Sequence, residues 1–457
     1  MLSNVYSITS IILAAGEGKR MYSKVPKVLH KVCGAPMVEH VIDCARKLSD
    51  IEPVVVIGHG ADQVSKAVKG VEFVLQEKQL GTGHAVMQAE KYIKDGDILI
   101  LYGDAPLLRP ETLMEMHEVH KKAGYSATIL TSDFQDPAGY GRIVKNEEGL
   151  VEAIVEDKDA DSSIRLIKEI NSGIYLINGR ELKEALKHLN NNNAQGEYYL
   201  TDVIGIMRKK DLLIGTYKIG DSEEIMGINN RYQLSEANRI MGLRIAKKHM
   251  LDGVTIIDPN NTYIETSVRI ERDVTIYPGC ILEGTTVIQE DSVIGPNTRV
   301  RDGKIGKGVS IQNSVVLESS IGEGTTVGPF AYIRPGNKIG KYARIGDFVE
   351  MKNSNFGDHS KASHLTYVGD GDVGNNVNLG CGVVFVNYDG KHKNRTYVGD
   401  NSFIGCNANL IAPVRINSNS YIAAGTTVTK EVPQDSLAIG RARQENKEGW
   451  VAERENK

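Results

Sequence analysis

The chain has 457 residues, about three times a ~150-residue domain unit, so two or three domains with hydrophobic cores of their own are expected. Its 54 Lys+Arg against 58 Asp+Glu leave a net charge of -4, without the basic excess of a nucleic-acid-binding surface. Hydrophobic residues at 41% and charged residues at 25% exclude global disorder and a fibrous class.

No run approaches the ~20 apolar residues of a membrane-spanning helix, and the opening MLSNVYSITSIILAAG lacks the basic stretch of a secretory leader. No membrane insertion and a cytosolic location are expected. Five scattered cysteines (Cys33, Cys44, Cys280, Cys381, Cys406) contain no CxxC pair, so free thiols are expected in place of disulfides or structural zinc.

In the first half, short apolar runs at residues 11–15, 53–57 and 98–102 alternate with amphipathic segments at 37–48 and 111–122. Buried strands alternating with crossover helices define an α/β domain with a largely parallel sheet, expected over residues 1–228. Residues 229–252 carry Leu234, Ala237, Met241 and Ile245 at helical spacing among charges, the pattern of a long connecting helix or else of a last helix packed fully on the first domain.

The grammar changes over residues 253–457. Aliphatic residues recur every six positions at Ile264, Ile270, Ile276, Leu282, Ile288, Ile294 and Val300, and the beat resumes at Ile321, Val327, Ile333, Ile339 and Ile345 and again from Val398 to Val428. One aliphatic residue per hexad means a short strand whose inward side chain stacks on the coil below, with glycines expected at corners needing unusual φ/ψ. Three hexads close a coil of ~18 residues, so a β-helix of about ten coils is predicted. The beat breaks between Phe385 and Val398, where NYDGKHKNRT should protrude as a loop. Beyond Val428 the polar, charged tail, with the only tryptophan, Trp450, near its end, is expected either to be solvated or to dock on a neighbouring subunit.

The clearest local motif is IILAAGEGKRM over residues 11–21, followed by Pro26 and Lys27. A strand running into Ala-Ala-Gly-x-Gly places backbone N–H groups at the carboxyl edge of a sheet, where a base and phosphates can approach. The dinucleotide fingerprint fails, because Met21 stands where a third small residue is needed, and Walker-A spacing fails because no G-K-[ST] follows. Arg20 and Lys27 are cations able to neutralise a triphosphate. Asp104, closing Leu101-Tyr102-Gly103-Asp104, offers the hard oxygen that Mg²⁺ takes together with substrate phosphates.

These segments, with QEKQLGTGHA at 76–85 and GEYYLTD at 196–202, resemble the sugar-1-phosphate nucleotidyltransferases. Together with the hexads, the chain from residue 8 to 450 resembles the bifunctional N-acetylglucosamine-1-phosphate uridylyltransferase and glucosamine-1-phosphate N-acetyltransferase family. The resemblance implies a Rossmann-like first domain and a left-handed parallel β-helix. It also implies synthesis of UDP-N-acetylglucosamine, a precursor of peptidoglycan and other cell-envelope polymers, from UTP, acetyl-CoA and glucosamine-1-phosphate.

By matching motif, the nucleotide side implies Leu13, Ala14, Ala15, Gly16, Gln76, Gly81, Thr82, Tyr102 and Gly103. The sugar side implies Gly141, Glu156, Asn171 and Glu197, and Mg²⁺ implies Asp104 and Asn229. In the β-helix, Glu350, Lys352, His364 and Asn378 are expected to converge, since residues one coil apart stack. The resemblance makes His364 the general base, with Glu350 to orient its ring. It implies Arg334, Lys352 and Lys393 for the sugar phosphate and Tyr367 and Asn378 for the sugar. Acetyl-CoA contacts implied are Cys381, Asn387, Tyr388, Cys406, Ala424 and Arg441, with cysteine where the family commonly carries Ala (Cys381) and Ser (Cys406). A homotrimer with acetyl-transfer sites completed by a neighbour is implied as well. A glucose-1-phosphate nucleotidyltransferase with a shorter regulatory β-helix is the alternative; it would not need Glu350, Lys352, His364 and the Asn387-Tyr388 loop together. A non-catalytic subunit of both folds would not need Arg20, Lys27, Asp104 and Asn229.

Overall fold

The structure is a computed structural model that describes residues 6–455. The chain divides into two compact units, Met1–Met241 and Gly242–Lys457.

The first unit is built on a sheet of β1 (Ile8–Ala14), β4 (Val54–Ile57), β5 (Glu72–Leu75), β6 (Asp97–Tyr102), β7 (Ala127–Asp133), β10 (Glu169–Asn178) and β11 (Ile214–Lys218), with β2 (Lys31–Val32) and β3 (Ala35–Pro36) forming a separate small hairpin. Strand order is β11-β7-β10-β6-β1-β4-β5, and β8 (Arg142–Lys145) and β9 (Val151–Val155) extend it from β10 as a hairpin. All pairings in the main path are parallel except those of β10, which runs antiparallel to both β6 and β7. The largely parallel sheet expected therefore has one reversed strand at its centre.

Helices α1 (Met37–Leu48), α2 (Ala61–Ala67), α3 (Thr82–Gln88), α4 (Pro110–Ala123), α5 (Gly179–Leu186) and α6 (Asp202–Arg208) cover the sheet. Alternation along each strand explains both layers. Ile11, Leu13, Val54, Val56, Ile98 and Ile100 pack with Val86, Leu182, Ala185, Val203 and Met207, while Ile12, Ala14, Val55, Ile57, Leu99 and Leu101 pack with Val38, Val41, Ile42, Leu113 and Met116. Because both faces are buried, these strands read as continuous apolar runs. β1 lies between β4 and β6, so the chain leaves it on one side and later returns on the other. The carboxyl end of β1 is thus a topological switch point, where open α/β sheets bind ligands.

Helix α7 (Arg231–Leu251) crosses the boundary between the units. Its Ala237 and Ile240 are buried with Val32, Met37, Leu107 and Ile228, and its Ala246 belongs to the core of the second unit.

The second unit is a left-handed parallel β-helix of hexapeptide repeats, with three parallel sheets of 11, 10 and 9 strands. The sixfold beat is its core: Ile276, Ile294, Ile311, Val327, Ile345, Ala362 and Leu379 stack in register on one sheet and are buried. Corners differ in one respect from expectation. Many left-handed positions are filled by Asn, Asp and even Phe or Leu, such as Asn353, Phe348 and Leu365. Several glycines serve a different need: a Cβ on Gly322 would lie 2.6 Å from the Gly340 carbonyl carbon, and one on Gly357 2.3 Å from the Gly374 oxygen. Those glycines let consecutive coils touch. The predicted loop leaves after Asn387 and is closed by a Tyr388–Lys393 bridge, with residues 388–393 exposed. The tail carries a short helix, Trp450–Glu455, on which Trp450 is half exposed. Among the described residues no helix is long and apolar enough to cross a membrane.

Candidate active sites

At the carboxyl edge of the first sheet lies a cavity of about 370 Å³, lined among others by Leu13, Ala14, Ala15, Gly16, Lys27, Gln76, Gly81, Thr82, Tyr102, Asp104, Glu197 and Asn229. The wall comes from segments distant in sequence because each follows a strand end. Gly18, at φ 66, lets the lysine in, since a Cβ there would lie 2.6 Å from Lys27 Cβ. Gly81, at φ 113, would drive a Cβ to 2.6 Å from the Tyr198 carbonyl oxygen. Gln76 is buried and its amide donates to the Gly81 carbonyl at 3.1 Å, fixing the loop against β5.

Lys27 Nζ pairs with Asp104 and donates to Asn229 Oδ1 at 3.2 Å. The Ile228 N–H donates to the Asp104 carbonyl at 2.9 Å, which holds Asn229 beside the carboxylate. One ammonium therefore touches both oxygen donors, so the pair already forms a cation-holding site. Its chemistry fits Mg²⁺, which needs only one or two hard-oxygen protein ligands when phosphates supply the rest. Among the described residues no cluster of three His, Cys, Asp or Glu could hold a metal alone.

Next to this wall, Gly141, Glu156 and Asn171 come together: a Cβ on Gly141 would be 3.5 Å from Asn171 Cβ and 3.6 Å from Glu156 Oε1. Burial pushes the Glu156 carboxyl up, with a hydrogen bond from Thr201 opposing it. Burial likewise raises the Tyr102 hydroxyl. Gly103 packs on Ala14, where a Cβ would lie 3.3 Å away.

Arg20 is not brought to the cavity wall. It sits on the 3-10 turn Lys19–Met21, which buries Met21 and leaves Arg20 exposed. Gln79 lines the cavity and was not singled out, although it is the second glutamine of QEKQ.

On the β-helix, one sheet carries the strands Tyr332–Ile333, Glu350–Lys352, Tyr367–Gly369 and Val384–Val386. Arg334 Nη1 donates to Glu350 Oε1 at 2.9 Å, and Lys352 stands 3.6 Å from Asp370. The Lys352 charge beside Lys393 pulls the Lys393 ammonium down, so two like charges crowd one place. Asp370 is the counterweight. Burial alone would raise its carboxyl, but hydrogen bonds from Asn353 and Asn387 and the Lys352 charge bring it below the usual range.

His364 needs a correction of partner. Its Nδ1 lies 2.6 Å from Asp347 Oδ1, across 17 residues, while Glu350 is in register with Tyr332 and Tyr367 and pairs with Arg334. The physical reason is register: Asp347 and His364 are Cα partners on adjacent coils, whereas Glu350 belongs to a different sheet. The hydrogen bond holds the Asp347 carboxyl below its ordinary range. An ionised carboxylate only accepts, so Nδ1 carries the proton, and in the neutral ring the lone pair is on Nε2. Asn378 also differs from expectation, being in register with Lys361 and Phe403.

Asp347 and His364 begin a column at one corner of the helix. Asp347, His364, Cys381, Cys406 and Ala424 each precede a left-handed residue: Phe348, Leu365, Gly382, Asn407 and Gly425. Arg441 Nη1 joins the column by donating to the Ala424 carbonyl at 2.7 Å. Asn387 lies beside Tyr367 and Asp370. It is buried, its amide donating to Asp370 at 2.6 Å beside the Tyr367 hydroxyl at 3.4 Å. Tyr388 is exposed on the loop, its hydroxyl donating to the Gly390 carbonyl. Asp347 and Asp370 were missed, and only the 17-residue coil period in this region could have found them.

A nucleotide cavity at a switch point and a His–Asp corner on a hexad β-helix define a nucleotidyltransferase joined to a hexapeptide-repeat acyltransferase. Residues 10–202 match the model of the MobA-like NTP transferase domain, and residues 395–430 match that of the bacterial transferase hexapeptide. The chain is 54% identical over 446 residues to the bifunctional protein GlmU of Clostridium botulinum, covering 97% of each. It is 56% identical over 445 residues to that of Alkaliphilus oremlandii, covering 97% of this chain and 98% of the relative. The chain belongs to the bifunctional GlmU family. A solved UDP-glucose pyrophosphorylase complexed with UDP-glucose aligns to 53% of this chain and 99% of its own at 17% identity and a TM-score of 0.43, too low to add to the assignment.

Proposed function

We infer that this chain acetylates glucosamine-1-phosphate from acetyl-CoA and then transfers a uridylyl group from UTP to the N-acetylglucosamine-1-phosphate formed, yielding UDP-N-acetylglucosamine and pyrophosphate. What carries the reading is the coexistence in one chain of the Lys27–Asp104–Asn229 cluster and the Asp347–His364 pair. Residues 1–228 hold the first centre and residues 253–457 the second, with 229–252 as the connecting segment.

At the nucleotide centre, the phosphate of the sugar substrate is already an anionic nucleophile, so no general base is required. Residues 13–16, Gln76, Gly81 and Thr82 hold the nucleoside, while Gly141, Glu156, Asn171 and Glu197 orient the sugar. Mg²⁺ held by Asp104 and Asn229 would supply charge neutralisation on the phosphoryl oxygens. Lys27 turns its ammonium to the same oxygens, and positioning with charge stabilisation does the rest. Arg20, exposed on its turn, is the cation that can swing to the pyrophosphate.

At the second centre, His364 Nε2 takes a proton from the attacking amine, and Asp347 holds the ring and balances the cation formed. Arg334, Lys352 and Lys393 hold the sugar phosphate, with Tyr367 and Asn378 toward the sugar. Acetyl-CoA lies along the corner of Cys381, Cys406, Ala424 and Arg441, with Tyr388 on the adjoining loop. The exposed stack of Phe330 on Phe348, with Leu365 next in the column, supports a homotrimer in which a neighbour covers that corner. That all of these substrates are small phosphorylated metabolites supports work in the cytoplasm.

The test is incubation of the chain with glucosamine-1-phosphate, acetyl-CoA, UTP and Mg²⁺, following both CoA release and UDP-N-acetylglucosamine. Asp104→Ala should lose uridylyl transfer by at least about a hundredfold and keep acetyl transfer; His364→Ala should do the reverse. Loss of both reactions in either folded variant would refute the division.

A further inference from the structure

The thiols fall into two groups: Cys33, Cys44 and Cys280 are buried, whereas Cys381 is half-buried and Cys406 exposed. The two accessible thiols occupy neighbouring coils. Asn378 pairs with Phe403 and Leu379 with Ile404, and the same offset carried past the strand end sets Cys381 against Cys406. The backbone keeps that register through the turn. Asn407 N–H donates to the Cys381 carbonyl at 2.8 Å, and a Cβ on Gly380 would lie 2.6 Å from the Cys406 nitrogen.

Each cysteine precedes a left-handed residue, Gly382 at φ 73 and Asn407 at φ 55, so the two corners repeat one backbone trace. Paired strands lie roughly 4.8 Å apart. That is inside the roughly 4.4–6.8 Å window of Cα separations that a disulfide spans.

We propose that Cys381 and Cys406 form a redox-active dithiol that closes to a disulfide across two coils and, when closed, stops acetyl transfer without touching uridylyl transfer. The covalent step rests on register alone; its effect on activity rests on the placement of acetyl-CoA along this corner. The oxidant is a low-molecular-weight disulfide, of which the disulfide of CoA is the form this corner would meet. One cysteine thiolate attacks a sulfur of that disulfide, forming a mixed disulfide and expelling one CoA thiolate. The second cysteine thiolate attacks the protein sulfur of the mixed disulfide, forming the intramolecular bond and expelling the other. The two protons lost by the cysteines end on the two CoA thiols, and a small thiol reverses both steps.

The consequence is local. The column places the pair directly after His364, so the new bond lies on the corner next to the base and replaces the thiols along the path assigned to acetyl-CoA. The nucleotide cavity holds no cysteine among its lining residues.

Reduced full-length protein treated with CoA disulfide should lose two hydrogens in intact mass, retain no CoA adduct, and yield one crosslinked peptide pair containing Cys381 and Cys406. Acetyl transfer should fall at least about tenfold, uridylyl transfer should stay within about twofold, and dithiothreitol should restore the former. Cys381→Ser and Cys406→Ser should each give no crosslinked pair and stop at a CoA adduct on the remaining thiol. Absence of the crosslink, or a crosslink that forms between other cysteines, overturns the proposal. A crosslinked enzyme that acetylates at its reduced rate overturns the switch. In that event the acetyl-CoA KM of reduced Arg441→Ala identifies the failed premise: an unchanged KM removes acetyl-CoA from this corner, and a raised KM retains it there.

Discussion

Lys27 touching both Asp104 and Asn229 gives the Asp104 carboxylate a counter-cation from within the chain. Asp347 plays the matching part for His364, fixing which ring nitrogen is free. Asp347→Ala should therefore lower kcat for acetyl transfer about 10–100-fold with little change in the KM for glucosamine-1-phosphate, as steady-state kinetics would register. Asp370 makes a pH prediction. Its carboxyl is depressed in the folded chain, so its contribution to stability is present above the ordinary carboxylate pKa and is lost as pH falls through the lower folded value. Melting temperatures taken downward from about pH 5 should fall more steeply for the unaltered chain than for Asp370→Asn.

At the scale of the elements, buried corner hydroxyls stitch each coil to the next. Ser354 Oγ donates to the Lys352 carbonyl at 2.8 Å and accepts from the Gly371 N–H at 3.0 Å, and Ser314, Ser319, Thr325 and Ser360 repeat the acceptor role on other coils. Ser354→Ala would leave a buried N–H unpaired and cost about 1–3 kcal/mol, seen as a lower urea midpoint at an unchanged slope. The inward residues of this unit were legible from periodicity, because one aliphatic position per hexad has no other use. Neighbour relations across coils were less so. Where five-residue steps shorten a coil to 17 residues, the neighbour of His364 on the coil before is Asp347, which the hexad pattern alone does not mark. In the first unit the motif residues were legible because glycines and small residues mark strand ends. Arg20 stands exposed on a 3-10 turn that the motif does not mark, and the antiparallel β10 left no sign in its apolar run.

For the molecule as a whole, each compact unit carries the groups proposed for one reaction, and the proposed metal donors, Asp104 and Asn229, lie in the first. Chelation with EDTA should abolish UDP-N-acetylglucosamine formation while CoA release from acetyl-CoA and glucosamine-1-phosphate continues; parallel loss of both would contradict the assignment of Asp104 and Asn229. The hairpin that leaves the β-helix after Asn387 re-enters it in register, since Gly371, Asp372 and Val373 still pair with Thr396, Tyr397 and Val398. The coils themselves therefore set no limit on its length. A peptide grafted at the open tip near Gly390 would change how far the arm reaches while every rung above and below keeps its neighbour, so insertion here alters geometry without rewriting the repeat.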